Sequence, residues 1–208
     1  KTEKPLTSEK RFIEKASYLK YFTQGIRRFN LFKSLRSNLE PKYLSNDKVV
    51  LKNYEIYDVD DVKMYTKFIS TDILQEYFVP VAKLSEFLDY FYLIVNRWRV
   101  NLMNVSLRYV KKSTIPILNY APGDRIAIVI YFNISNSRGG INYASRWTNL
   151  LLKKLVGMGG QYYLPYLPLA TRKVFREAYP SWREYKKIKE KYDVDGLLSN
   201  QFLEKYIN

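Results

Sequence analysis

The chain of 208 residues contains neither cysteine nor histidine. Their absence removes disulfides, thiolate and imidazole metal ligands, a cysteine nucleophile and a histidine general base. Chemistry from this chain alone therefore rests on carboxylates, Lys, Tyr, Ser or Thr, unless a cofactor held by another domain supplies it. No apolar run approaches the roughly 20 residues of a membrane-spanning helix, and no signal-peptide pattern opens the sequence. The chain reads as cytoplasmic, either soluble or peripheral to a membrane. No glycine-rich loop follows a strand in the dinucleotide-binding or P-loop spacing. The sequence opens on Lys1, and the expectation is a piece of a longer protein.

Acidic residues are also scarce: 20 Asp and Glu face 35 Lys and Arg, for a net charge of +15. That balance favours acidic partners, whether nucleic acid, anionic lipid or an acidic neighbouring domain. The charge is uneven, with 13 Lys and Arg against 5 Asp and Glu in residues 1–52. A second basic run spans Arg183–Lys191.

What the chain has in quantity is apolar and aromatic side chains, 47% and 16% of the residues, enough for a substantial core. Residues 1–70 read as a basic, helical N-terminal region. Helices are predicted over 8–22, with Ser8 as N-cap, and over 25–38, closed by Pro41. "KVVLKNYEIYD" (Lys48–Asp58) then reads as a strand, and the acidic stretch after it as a short helix or turn.

From residue 72 the pattern sharpens. "ILQEYFVP" is a β-rich run closed by Pro80. The next segment sets Leu84, Phe87, Leu88, Phe91, Val95 and Trp98 on one helical face. "MNVSLRYVKK" alternates as a strand, Pro122–Gly123 marks a turn, and "RIAIVIYFNI" is the strongest strand. A helix is predicted after Gly139–Gly140, with Ile141, Trp147, Leu151 and Leu155 as its apolar stripe, ending at Gly157 and Gly159. "GQYYLPYLP" then resumes an extended course. This β-α-β-β-α-β order over 72–164 predicts an α+β fold of ferredoxin-like type: an antiparallel sheet with helices on one face. Further helices follow, one with a capping box of Ser181 and Glu184.

Three stretches together resemble one family: "EYFVP" (Glu76–Pro80), "MGGQYYLPYLPLAT" (Met158–Thr171) and "AYPSWREYKKIKEKYDVDGLLSNQFLEKYI" (Ala178–Ile207). The last is similar to the tail of FAD-linked oxidases of the vanillyl-alcohol oxidase type, where Val194 takes the place of a usual proline. The sugar-lactone and alditol oxidases and the decaprenylphosphoryl-ribose oxidases are the nearest branches. The resemblance covers about residues 70–207 and implies that 71–208 is the cap, or substrate, domain. The cofactor implied is FAD, held mainly by an N-terminal flavin-binding domain that this chain lacks. The implied activity is oxidation of a sugar-like alcohol or lactone by hydride transfer to flavin, with the fragment alone inactive.

The resemblance also implies site residues. Glu76 matches the Glu that lies at the substrate in alditol and lactone oxidases, and Arg108 in "VSLRYV" matches an Arg that joins that site. These two are the candidate catalytic residues. Tyr163 matches a substrate-facing Tyr of the ribose oxidases, and Tyr166 stands where those enzymes carry a Lys. "YFNIS" offers Tyr131 and Asn133 where alditol oxidases carry a Lys. Asn133, Tyr163 and Tyr166 are the candidate substrate-binding residues.

Each candidate has a bland alternative. Glu76 reads equally as an exposed strand residue, Arg108 as a solvated or salt-bridged one, and the tyrosines as packing. A second functional reading is a nucleic-acid-binding module on a ferredoxin-like sheet, with Lys and Arg on phosphates and aromatics on bases. The basic N-terminal region could alternatively touch anionic membrane.

Overall fold

A computed structural model describes residues 70–207. The expected N-terminal helices, the strand over 48–58 and the acidic segment after it lie outside the described residues. The elements run β1 (Ser70–Pro80), α1 (Leu84–Arg97), β2 (Asn101–Val110), β3 (Arg125–Ser135), α2 (Arg138–Gly157), β4 (Gln161–Tyr162), α3 (Arg172–Ala178), α4 (Trp182–Tyr192) and α5 (Gln201–Tyr206), with a 3-10 turn Val81–Lys83 after β1. The strands form one antiparallel sheet in the order β2-β3-β1-β4. Each helical crossover skips one strand, as the ferredoxin-like expectation requires.

Strand register divides the side chains between two faces. Because directly opposed residues share a face, the pairs Ile73↔Phe132, Gln75↔Ile130, Tyr77↔Ile128 and Val79↔Ile126 lie on one side. Phe87, Phe91 and Ile94 of α1 and Ala144, Trp147, Leu151, Leu152 and Leu155 of α2 are buried in one core with them. Phe132 meets Trp147 edge-on at 4.8 Å, a favoured aromatic geometry. Phe175 of α3 stacks on Tyr206 of α5 at 4.7 Å and extends the core. The other face carries Asp72, Glu76 and Phe78 of β1, opposite Asn133, Val129 and Ala127 of β3. Ser106 and Arg108 of β2 continue those rows.

Both crossover helices end in Schellman motifs, which satisfy their last carbonyls. In α2 the Gly160 N–H donates to Leu155 O and the Gly159 N–H to Val156 O, both at 2.9 Å. Gly159 has φ +75°, and a Cβ on Gly160 would sit 2.9 Å from Phe78 O. One glycine of the pair turns the chain, and the other lets β4 approach β1. In α1 the same bonds run from Val100 to Val95 and from Arg99 to Asn96, and Arg99 takes φ 45°. Arginine there gives no stop signal in the sequence, because the left-handed position normally belongs to Gly or Asn.

The structure differs from the sequence reading in four places. Helix α2 starts at Arg138 with Ser137 as N-cap, so Gly139 and Gly140 lie in its first turn. A Cβ on Gly140 would meet Ser135 O at 2.1 Å, so glycine allows the tight strand-to-helix turn. Ile141 is exposed, because the buried stripe of α2 begins at Ala144. Ser181 is the N-cap of α4 but its hydroxyl caps nothing, since its ψ of 8° departs from the extended backbone a capping residue normally adopts. Strand β4 spans only Gln161–Tyr162. The chain beyond it holds Pro165 and Pro168, which lack the N–H a ladder requires.

Candidate functional site

Glu76 sits mid-strand in β1, the strand flanked by β3 and β4. It is buried at 7% exposure, which rules out the exposed-strand alternative. Burial raises its pKa above the ordinary carboxylate value, and the charge and hydrogen bond of Arg108 oppose that rise. Arg108 Nη2 donates to Glu76 Oε1 at 2.9 Å. The guanidinium reaches diagonally across β3, over the row of Ala127, whose small side chain leaves room. The Arg108 side chain is 60% exposed and salt-bridged, as its bland alternative also allows. Among the described residues Oε2 of Glu76 accepts no hydrogen bond.

An aromatic wall flanks the pair. The Tyr163 N–H donates to Glu76 O at 3.0 Å, which extends the β1–β4 edge by one residue. By strand alternation the Tyr163 side chain joins the Glu76 face. Its ring meets Tyr166 at 4.9 Å and Phe78 at 6.4 Å, while Tyr120 lies 4.6 Å from Phe78. Burial, then the charge of Glu76, holds the Tyr166 phenol above its ordinary pKa, so it is a proton donor at neutral pH.

Of the five candidates, Glu76, Arg108, Tyr163 and Tyr166 thus come together. Asn133 shares the face but belongs to a second cluster. It lies four residues along β3 from Val129, the residue level with Glu76, or about 13 Å away. Its Nδ2 donates to Asp72 Oδ1 and, at 3.2 Å, to Thr71 O. Tyr131 Oη donates to Asp72 Oδ2 at 2.8 Å. Asp72 is buried at 5% exposure, and its place four residues before Glu76 was the signal that both carboxylates share one face.

Tyr120 and Arg125 also escaped the sequence reading. Tyr120 comes from the β2–β3 loop, which Asn119 fixes by donating to Ser113 O at 2.6 Å and accepting from Ala121 N at 2.8 Å. Loop residues carry no periodicity, so nothing in the pattern announced it. Arg125 is buried and reaches across the sheet end to Gly159 O at 3.2 Å and Gln161 Oε1 at 3.3 Å. Its role is to tie β3 to β4.

Replacing Arg108 by Met should destabilise the fold in a pH-dependent way. The raised pKa of Glu76 means that its contribution favours folding below the unfolded value and is lost as pH rises through the folded one. Arg108 restrains that loss. Urea melts should show a cost of about 1 kcal/mol near pH 8, shrinking near pH 4. An equal cost at both would contradict the pairing.

Compared with models of known protein families and with curated proteins, the chain matches none. Among the described residues there is no group of three or more His, Cys, Asp or Glu that could hold a metal, and no helix long and apolar enough to cross a membrane.

Proposed function

We propose that the chain is the substrate domain of an FAD-dependent oxidoreductase acting on a sugar-like alcohol or lactone, with its flavin held mainly by an N-terminal domain of the same protein. The observation that carries this reading is the buried Glu76 carboxylate, held through one oxygen by Arg108 at 2.9 Å beside Tyr163 and Tyr166. Among the described residues, the helices pack on the opposite side of the sheet from this polar and aromatic face.

The donor set suits hydroxyl groups and a ring edge. It does not suit dinucleotide phosphates, because a carboxylate stands at its centre. Tyr163 and Tyr166 would face the ring, and the phosphates would be held elsewhere. When bound, the flavin supplies the acceptor for a hydride. Arg108 holds Glu76 by Oε1 and favours its ionised form, leaving Oε2 to take the proton of a substrate hydroxyl. The phenol of Tyr166 orients a neighbouring oxygen by donating to it.

A nucleic-acid module on this sheet fits less well. A phosphate backbone laid on the face would meet the buried carboxylates of Glu76 and Asp72, a like-charge contact. Two assays separate the readings. The chain alone should not oxidise alditols, whereas the chain joined to its flavin-binding domain should. Turnover by the isolated chain would overturn the division of labour. Tight, salt-sensitive binding of a single-stranded oligonucleotide, lost on reversing charge at Arg108, would favour the other reading.

A further inference from the structure

Away from the sheet face, α3 and the start of α4 enclose an open cavity of about 430 Å³ lined by Arg172, Lys173, Arg176, Glu177, Trp182 and Arg183. Four cations meet one carboxylate there. That carboxylate makes a loose, exposed contact, with Lys173 Nζ 3.9 Å from Glu177 Oε1. Neither Arg176 nor Arg183 forms a salt bridge among the described residues. Both guanidiniums instead lie against the Trp182 indole, at 4.3 Å and 4.8 Å from its centre. Cation–π attraction to the ring sets two like charges close together, with Glu177 the one carboxylate lining the cavity. Arg172 is fixed separately, its Nε donating to Lys205 O at 2.9 Å.

We infer that this cavity is an anion site for a phosphate monoester. Guanidinium forks match tetrahedral oxyanions through paired N–H groups. Three forks and a lysine offer more donors than a carboxylate could accept, whereas a phosphate presents three terminal oxygens and about two negative charges. The guanidiniums that sit on Trp182 need no large rearrangement to bind, so little ordering entropy opposes the ligand. The volume exceeds that of a bare ion, so the group attached to the phosphate has room. A soluble phosphorylated metabolite and a monoester lipid headgroup share this chemistry.

The test follows the Trp182 indole and arginine Nε signals by NMR while glycerol phosphate is added at constant ionic strength, with chloride as the reference. Saturable shifts confined to Trp182, Arg172, Arg176 and Arg183 are expected. The double variant Arg176→Gln/Arg183→Gln should weaken binding at least tenfold. Arg176→Lys/Arg183→Lys, which keeps the charge but loses the forks, should weaken it less, and Lys187→Gln should leave it unchanged. These arginines are exposed, so an unchanged thermal midpoint should accompany the loss. In parallel, flotation with vesicles containing phosphatidic acid, against phosphatidylcholine alone, identifies the source: binding to the former that the double variant loses assigns the site to a lipid headgroup. Glycerol phosphate acting no better than chloride while such vesicles are also ignored would overturn the site. So would a double variant that binds like the wild type, or capture of an oligonucleotide alone.

Discussion

Glu76→Gln, introduced into the chain joined to its flavin-binding domain, should lower turnover on an alditol about 100-fold or more, the scale of a lost general base. The substitution keeps the shape of the side chain and one acceptor oxygen for Arg108, but removes the site that takes the hydroxyl proton. Flavin content should stay near that of the parent, because the Glu76 pair is proposed to face substrate and not the dinucleotide phosphates. The fold should survive as well, since Arg108 is 60% exposed and water can satisfy it when the carboxylate is gone. The parent should lose activity on the acid side as Glu76 protonates, at a pH above the ordinary carboxylate range because burial raises its pKa. The Gln variant should lack that acid limb. Turnover, the visible absorbance of bound flavin and the pH profile together decide the matter; unchanged turnover would remove Glu76 from the site.

Trp147→Ala should cost about 3–5 kcal/mol of stability, the range for deleting a fully buried aromatic. Trp147 is 1% exposed and packs edge-on against Phe132 at the centre of the helix-covered face. The rigid strand and helix around it cannot close the space left by an indole. In a unit of this size that loss should lower the melting midpoint by about 10–20 °C. Trp147→Phe, which retains the edge contact, should recover part of it. Calorimetry or urea unfolding of the two variants measures this, and a Trp147→Ala protein as stable as the parent would mean that the helix-covered core is misplaced.

Much of this architecture was legible because the physical signals were local and periodic. The alternation in "RIAIVIYFNI" produced β3, a strand that buries Ile128, Ile130 and Phe132 on one face. The stripe of Phe87 and Phe91 produced α1, and the glycines after α2 marked a helix stop and a turn, whereas the close approach of Gly160 to β1 emerges only from the fold. Legibility failed where tertiary packing overrode a local rule. Arg99 takes the left-handed position that glycine would have announced. Ser181 reads as a cap but has the wrong backbone angle to act as one.

The site shows the same division. Glu76 and Arg108 face each other because both happen to fall on one side of the pleat, 32 positions apart in the chain. Alternation can assign each to a face, yet only the register of β3 between them makes the diagonal contact. Asn133 shows the limit of that reasoning: the face was right, but the register carries it to Asp72. Tyr120 joins the wall from a loop, and no pattern could have placed it there.

The Glu76 face is proposed to serve a flavin-dependent oxidation. Anaerobic mixing of the flavin-loaded, domain-joined protein with alditols and sugar lactones tests it most directly, with flavin reduction followed by loss of visible absorbance. Substrate-dependent bleaching is expected in the parent, slowed about 100-fold or more by Glu76→Gln at equal flavin content. A protein that holds no flavin, or whose flavin is reduced as fast in Glu76→Gln as in the parent, would contradict it.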